Sequence, residues 1–286
     1  MKIPELYEHK KPVFSLEIFP PKKKGNIESI YDTVEQLAHC NPDFISVTYG
    51  AGGSKSKKTV EIASYIQNNL KINALAHMTC VGSGKEDIDA VTAQLKEANV
   101  NHVLALRGDR PSYMSDEQFN SRHFPHASDL TGYLNSSTDF HIAGACYPEK
   151  HYEAKDLDSD LLHLKKKCDA GAEFLITQLF FDNQVYYEFL DKARSTGINL
   201  PICAGIMPIT SAKQLGTTVS LSGSSVPKKL ADLIATYGDD PAEMRKAGID
   251  YAIEQILDLK AHHVDGIHIY TMNKPKVARE IVSAIK

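Results

Sequence analysis

The sequence has no closely spaced cysteine pair, no long apolar run and no excess of one charge. Zinc and iron–sulfur sites are built from clustered ligands, so scattered cysteines predict no metal centre. His123 and His126 have a spacing that metal ligands can have, but no third ligand accompanies them. An odd number of scattered cysteines is typical of reduced thiols in the cytoplasm. The five cysteines are Cys40, Cys80, Cys146, Cys168 and Cys203.

No stretch approaches the roughly 20 apolar residues that a membrane-spanning helix requires. The polar N-terminus leads directly into a strand-like segment, which is unlike a signal peptide. The 32 basic and 36 acidic residues leave a net charge of −4, whereas nucleic-acid binding needs a concentrated basic face. These features predict a soluble, cytoplasmic protein whose partners are small molecules, with neither membrane nor nucleic acid among them.

Short β-rich runs alternate with amphipathic helical patterns along the chain. Eight such runs lie at 13–19, 44–49, 73–79, 102–107, 141–147, 173–179, 201–207 and 266–271. This alternation predicts an α/β fold, a (β/α)8 TIM-type barrel with parallel strands. We expect a single catalytic domain over residues 1–286, with 1–12 as an N-terminal extension. A doubly wound sheet is the alternative, but no Gly-x-Gly-x-x-Gly follows the first strand.

One interval, from Met207 to Asp265, is too long for a single helix. It contains a segment rich in Ser, Gly and Thr at 216–225, followed by two helical patterns. We interpret residues 216–225 as a mobile loop over the barrel mouth. The alternative is a solvent-exposed linker without a role.

Polar residues recur where the predicted strands end, which is where barrels of this type carry their functional groups. Strand alternation places Glu17 on the same face as Val13 and Ser15, opposite an all-apolar face that suits the helix layer. Glu17 is therefore predicted to point into the barrel, where desolvation would raise its pKa and allow it to act as a general acid. The alternative is a buried carboxylate neutralised by a barrel Arg or Lys.

Asp109, His77 and the lysines at 165–167 each have two interpretations. Asp109 is a second carboxylate at the mouth, or the partner of Arg107 in an ion pair. His77 on its own is more typical of a hydrogen-bonded core histidine than of a ligand-binding residue. The lysines at 165–167 fit a solvated helix face, although one near the mouth could meet a phosphate.

Seven of these segments, in this order, resemble the 5,10-methylenetetrahydrofolate reductase family. They are FSLEIFPP (14–21), SVTYGA (46–51), HMTC (77–80), LRGDRP (106–111), YPEKH (147–151), ITQLFFD (176–182) and HIYTMN (268–273). The resemblance covers nearly the whole chain and implies a barrel that holds FAD without a dinucleotide-binding glycine motif. It also implies ping-pong reduction of methylenetetrahydrofolate to 5-methyltetrahydrofolate with NADH or NADPH, which supplies methyl groups for methionine synthesis. The residues do not distinguish the two nicotinamides, and we favour NADH.

The resemblance assigns roles by position. Glu17 matches the general acid, and Asp109 matches a carboxylate between flavin and pterin. Positions expected at the substrate are Gln178, Gln214, Tyr270 and Lys274. Positions expected at the flavin are Thr48, Tyr49, Ala51, His77, Arg107, Gly108, Asp109, Ala127, Tyr147, His151, Asp160, His163, Lys166 and Lys167.

The sequence departs from the family pattern at several of these positions. Lys274 stands where an arginine is expected to face the folate tail. His163 and Lys166 stand where relatives often carry Asn and Arg, so Lys166 keeps the charge but loses the bidentate fork. Thr218 lies near the place of a phenylalanine that covers the substrate in some relatives.

The resemblance also sets expectations for regulation and assembly. The chain shows no C-terminal regulatory domain, so we expect no inhibition by S-adenosylmethionine, and we expect a homo-oligomer. Two rival functions stay open: a folate-dependent methyltransferase barrel without flavin, and a protein that only stores folate or flavin. The methyltransferase would bind no flavin and use no NADH, and the storage protein would need no inward-pointing Glu17.

Overall fold

The computed structural model describes residues 1–21, 27–49 and 56–286, and its strands form one closed parallel barrel. The barrel closes where β1 pairs with β8, with Glu17 opposite Tyr270. Each strand lies within the run predicted for it, which confirms the (β/α)8 fold. The strands are β1 (Val13–Ile18), β2 (Phe44–Val47), β3 (Asn73–Thr79), β4 (His102–Leu106), β5 (His141–Cys146), β6 (Phe174–Thr177), β7 (Ile202–Ile206) and β8 (Gly266–Tyr270).

Helices surround the barrel and follow the strands in sequence. Within the described residues, none has both the length and the apolar character of a membrane span. They are α1 (Ile3–His9), α2 (Glu28–Ala38), α3 (Ser56–Asn68), α4 (Lys85–Glu97), α5 (Asp116–Asn120), α6 (Ala127–Ser137), α7 (Leu157–Asp169), α8 (Asn183–Ser195), α9 (Ala212–Ser222), α10 (Lys228–Tyr237), α11 (Pro241–Ala261) and α12 (Pro275–Ile285).

Strand alternation divides the core into two layers. On β1, Leu16 and Ile18 face outward and pack with the helices in the larger apolar cluster. Val13 faces inward and packs with Phe44 and Phe174 in a smaller cluster inside the barrel. Burial of apolar area in both layers contributes roughly 25 cal/mol per Å². The barrel interior is therefore filled, and polar groups are concentrated at its mouth.

Helix α1, within the predicted N-terminal extension, covers the end of the barrel where the strands begin. Ile3 and Tyr7 are buried against the interior cluster. The Ile3 N–H donates a hydrogen bond to Nε2 of His102, at 3.1 Å. This covering leaves the opposite end, where the strands finish, as the mouth available to ligands.

The structure corrects the prediction for residues 216–225. Residues 216–222 belong to α9, so the prediction of a mobile loop is wrong for them. Ser211 begins this helix by accepting a hydrogen bond from the Gln214 N–H, and Gly223 ends it with a φ of +72°. Glycine adopts this left-handed conformation without steric cost, so it is a common helix terminator.

Packing explains why α9 is helical although glycine, serine and threonine are weak helix formers. Leu215 and Val219 pack against an apolar cluster that includes Phe181 and Leu230. Thr218 is buried on the same side. Tertiary packing of one face outweighs the low intrinsic propensity of the segment.

Candidate active site

Glu17 lies in the barrel mouth among three polar side chains. Its Oε2 atom is 3.2 Å from Oγ of Ser46, 3.3 Å from Nε2 of His268 and 3.4 Å from Nε2 of His77. The carboxylate is largely buried, with 17% side-chain exposure, and His268 is fully buried. The structure therefore places Glu17 inside the barrel as strand alternation predicts, and its neighbours are imidazoles rather than the Arg or Lys of the alternative interpretation.

The expected rise in the pKa of Glu17 is wrong for this arrangement. Burial does raise the pKa, but the interactions with His268 and His77 outweigh burial and lower it from 4.5 to about 2. The predicted rise in the pKa rested on desolvation alone, because the sequence does not show which side chains face Glu17 across the barrel. Glu17 is therefore ionised at neutral pH in the ligand-free protein.

A chain of polar contacts continues from Glu17 into the barrel. Nδ1 of His268 is 2.7 Å from Oγ of Ser15, so the imidazole connects Glu17 with this buried hydroxyl. An Nε2–H facing the ionised carboxylate leaves Nδ1 as acceptor for the Ser15 hydroxyl in the neutral ring. Neither His268 nor Ser15 was predicted to have a role, although strand alternation places Ser15 on the same face as Glu17 and His268 on the same face as Tyr270.

A cavity of about 660 Å³ opens beside this cluster, over the ends of β3 and β4. The residues lining it include Thr48, Tyr49, His77, Arg107, Gly108, Asp109, Tyr147 and His151, all of them predicted site residues. Gly108 has a φ of +82°, and a Cβ there would lie 2.8 Å from Cγ1 of Val81. Only glycine fits this position without strain, so the backbone can form the cavity wall.

Arg107 pairs with Glu153 rather than with Asp109. Two of its guanidinium nitrogens contact the two oxygens of Glu153, one of them at 3.0 Å. The guanidinium holds the pKa of Glu153 at about 2. The interpretation of Asp109 as the partner of Arg107 is therefore wrong, and Asp109 is exposed at the rim of the cavity.

A second cavity, of about 280 Å³, shares Arg107, Tyr147 and His151 with the first. Lys167 lines it and is largely buried, and its Nζ donates a hydrogen bond to the Ala145 carbonyl oxygen at 2.5 Å. The stem of Lys167 crosses β5 where a Cβ on Gly144 would lie 2.7 Å from its Cδ. Burial lowers the pKa of Lys167 and so disfavours its charged form, and an anionic ligand beside the amine would restore that form.

Three more of the predicted flavin positions line this second cavity. Ala127, Asp160 and His163 line it, together with Ala154, which the sequence analysis did not identify. Lys166 is exposed on α7 and is not among the lining residues. Ala51 lies outside the residues that the structure describes.

The predicted substrate residues lie across the mouth, near β6 to β8. The hydroxyl of Tyr270 donates to the Thr177 carbonyl oxygen at 2.6 Å. Nζ of Lys274 donates to Oγ1 of Thr210 at 2.9 Å. Oε1 of Gln178 accepts a hydrogen bond from the Leu179 N–H at 3.0 Å.

Gln214 uses both ends of its side-chain amide within the loop between β7 and α9. Its Oε1 accepts from the N–H and the hydroxyl of Thr210, both at 3.0 Å, and its Nε2 donates to the Pro208 carbonyl oxygen at 2.9 Å. Gln214 therefore shapes this loop, and Lys274 meets the same loop at Thr210.

The fold is shared with solved structures of low sequence identity. A protein from Clostridium thermocellum, described as binding two copies of 5-methyl-5,6,7,8-tetrahydrofolic acid, superposes with a TM-score of 0.63 at 17% identity. The match covers 99% of this chain and 96% of that one. At this identity the likeness concerns the fold.

Curated relatives are similar over nearly the whole chain. The 5,10-methylenetetrahydrofolate reductase of Pectobacterium carotovorum subsp. carotovorum is 33% identical over 267 residues, which are 93% of this chain and 88% of that protein. Methylenetetrahydrofolate reductase (NADH) 1 of Arabidopsis thaliana is 34% identical over 288 residues, 97% of this chain. The chain spans about half the length of that plant relative, 49%.

Residues 2–286 match the sequence profile of the family described as methylenetetrahydrofolate reductase. The match covers the barrel, the Glu17 cluster and both cavities. The chain therefore belongs to the methylenetetrahydrofolate reductase family.

Proposed function

We propose that this protein reduces 5,10-methylenetetrahydrofolate to 5-methyltetrahydrofolate with electrons from NADH or NADPH, by a ping-pong reaction through bound FAD. The observation that carries the proposal is a carboxyl group held between two imidazoles in the mouth of the barrel, beside a long cavity. Such a group can deliver a proton to a substrate that occupies the mouth. Family membership supports the choice of folate and nicotinamide as substrates.

The residues of the two cavities suit FAD. Four lining residues are common to both cavities, so an elongated ligand can pass from one to the other. The buried Lys167 amine suits a diphosphate, and the left-handed Gly108 lets the cavity wall approach a planar ring closely. Nε2 of His77 is buried without a well-aligned hydrogen-bond partner, and a ligand could supply one. When bound, a flavin supplies a two-electron carrier that accepts hydride from a nicotinamide and passes it to a second substrate.

Glu17 is proposed to protonate the leaving nitrogen when the five-membered ring of the folate opens. In the ligand-free protein Glu17 is ionised, so it must take up a proton before it can act as an acid. A folate covering the mouth excludes water, which disfavours the carboxylate and raises the pKa of Glu17. The proton then resides on Glu17 when the leaving nitrogen requires it.

The opposite wall is proposed to bind the rest of the folate. Gln178 directly follows β6, the Tyr270 hydroxyl meets the Thr177 carbonyl oxygen at the end of the same strand, and Lys274 provides a cation for the glutamate tail. Asp109 is proposed to lie between flavin and pterin. Lys274 is already oriented by its hydrogen bond to Thr210, which reduces the entropy lost when an anion binds.

The remaining proposals rest on the relatives and on composition. We propose NADH as the preferred donor, because the Arabidopsis relative carries NADH in its name. We also propose a cytoplasmic homo-oligomer whose product supplies methyl groups for methionine synthesis. Stopped-flow comparison of NADH with NADPH tests the preferred donor, and sedimentation analysis tests the oligomeric state.

The deciding experiment is the visible spectrum of the purified protein before and after anaerobic NADH. We expect flavin absorption that bleaches with NADH and returns when methylenetetrahydrofolate is added. A protein that cannot be loaded with FAD would refute the proposal and favour the flavin-free methyltransferase barrel.

Glu17→Gln separates the two half-reactions. We expect folate reduction to fall by about 100-fold or more, the usual contribution of general acid catalysis, while reduction by NADH changes little. Glu173→Gln is the matched control, because Glu173 forms a similar pair with His141, at 2.9 Å, at the other end of the barrel. Survival of both half-reactions in Glu17→Gln would contradict the proton-donor role.

A further inference from the structure

The turn between α9 and α10, residues 223–227, is tied to two loops at the barrel mouth. Oγ of Ser224 is buried and donates to the Leu179 carbonyl oxygen at 2.9 Å. The backbone N–H of Ser225 donates to both carboxylate oxygens of Glu149, at 2.9 and 3.1 Å. A hydrogen bond to a charged acceptor is stronger than one between neutral groups. Glu149 is therefore one attachment point of this turn, beside the buried Ser224 and Val226, which packs on the apolar cluster under α9.

Glu149 belongs to the loop after β5, which also forms part of both cavities. Tyr147 and His151, two residues to either side of it, line them. The loop is itself held in place, because the His151 N–H donates to Oδ2 of Asp160 at 2.8 Å and the Lys150 N–H donates to the Tyr147 carbonyl oxygen at 3.1 Å. The position of the Glu149 carboxylate is therefore set by the cavity wall.

The turn joins α9 and α10, which pack on one apolar cluster. Leu215 and Val219 of α9 pack in the same apolar cluster as Leu179, and Tyr270 packs against this cluster. A shift of the turn would move α9 relative to Tyr270. Glu149 therefore connects two parts of the structure. One is the loop after β5, which contains Tyr147 and His151, and the other is the pair of helices beside the proposed folate site.

We propose that Glu149 is a positioning residue that fastens the α9–α10 turn to the loop after β5 and so sets how tightly the mouth holds its substrate. This inference rests on the proposed function and adds a residue to it. Glu149 contacts the turn, not the reacting atoms, so its loss affects substrate binding more than chemistry. Among the described residues Glu149 hydrogen-bonds this turn alone, through Ser225, and Val226 keeps the turn packed on the apolar cluster, so we expect the fold to persist without the carboxylate.

The test compares Glu149→Ala, Glu149→Gln and Glu5→Ala with wild-type protein. Glu5 is the matched control, because its carboxylate also accepts from one backbone N–H, that of Lys2 at 2.8 Å, at the far end of the barrel. We expect Glu149→Ala to raise the KM for the folate about fivefold to twentyfold, with kcat within about twofold, since uniform binding is lost. Glu149→Gln keeps an acceptor oxygen, so we expect it to recover most of the loss.

Hydrogen exchange gives a second readout that does not depend on activity. We expect the Ser225 amide to exchange about tenfold faster in Glu149→Ala than in wild type, while FAD affinity and Tm stay close to the wild-type values. In Glu5→Ala the exchange rate of the Ser225 amide should not change. A loss of kcat, FAD affinity and Tm together would indicate a purely structural role and overturn the proposal.

The outcomes separate this inference from the proposed function. A wild-type protein that does not reduce the folate refutes the proposed function and the substrate role of Glu149 with it. An active protein in which Glu149→Ala leaves both the folate KM and the exchange of Ser225 unchanged refutes the role of Glu149 alone.

Discussion

Gly205 lies in β7 where the Tyr270 side chain crosses the barrel, and Gly205→Ala is expected to displace that ring. A Cβ at this position would lie 2.5 Å from the Thr177 carbonyl oxygen and 2.8 Å from both Cε2 and Oη of Tyr270. The backbone of Thr177 is held in the sheet, because its Oγ1 also accepts from the Gly205 N–H at 2.9 Å. Relief of both contacts therefore requires β7 to shift at Gly205 and the Tyr270 ring to move, so the 2.6 Å hydrogen bond of Tyr270 to Thr177 is lost.

The expected magnitude combines two effects. Overpacking of a tight site costs about 1–3 kcal/mol, and a buried hydroxyl left without a partner costs about 1–3 kcal/mol. We therefore expect the free energy of unfolding to fall by about 2–6 kcal/mol. Because Tyr270 lies at the proposed substrate site, we also expect the KM for the folate to rise.

Urea denaturation and steady-state kinetics measure both effects, with Gly216→Ala as the control. A Cβ on Gly216 has no atom within 4 Å, and the residue lies inside α9. Gly216→Ala should therefore stabilise the protein by about 0.5–1 kcal/mol. In a Tyr270→Ala background, Gly205→Ala should cost less than in wild type. Wild-type stability and KM in Gly205→Ala would refute the inferred close approach of Tyr270 to Gly205.

Two further predictions concern charged groups. Lys167→Met removes the amine that hydrogen-bonds Ala145 and should weaken FAD binding by about tenfold or more, measured by fluorescence titration of the apoprotein. Lys165→Met should not, because Lys165 lines neither cavity, and equal FAD affinity in both variants would contradict the assigned role. The pKa of Glu17 is lowered from 4.5 to about 2 in the folded protein, so its ionised form stabilises the fold above pH 4.5 and this stability is lost as pH falls towards 2. The free energy of unfolding in urea should fall for the wild type relative to Glu17→Gln as the pH is lowered through this range. A difference between the two proteins that does not change with pH would contradict the lowered pKa.

The strand positions and the inward direction of Glu17 could be predicted because both depend on local sequence. Alternation along β1 places Leu16 and Ile18 outward and Glu17 inward, whatever the rest of the barrel does. The recurrence of strand and helix patterns then leaves few ways to bury the apolar faces, and the barrel is one of them. The residues of 147–151 and 106–109 follow strand ends, so their meeting at one mouth follows from the fold.

The helical state of residues 216–222 could not be predicted, because it depends on a partner surface. Gly, Ser and Thr have low helix propensity, and nothing within the segment indicates that Leu215 and Val219 will pack on a cluster from the loops after β6 and β7 and from α10 and α11. The tie between Glu149 and Ser225 joins residues 76 positions apart and was equally hidden.

By itself, the sequence determined the strands, the face each side chain takes and the set of polar groups that meet at the mouth, because periodicity acts over a few residues. Only the tertiary structure decided which of these groups face one another. It placed His268 and His77 beside Glu17 and so lowered a pKa that burial alone would raise. It also paired Arg107 with Glu153 rather than Asp109. Electrostatic interactions depend on distances across the barrel, and closure of β1 on β8 sets those distances.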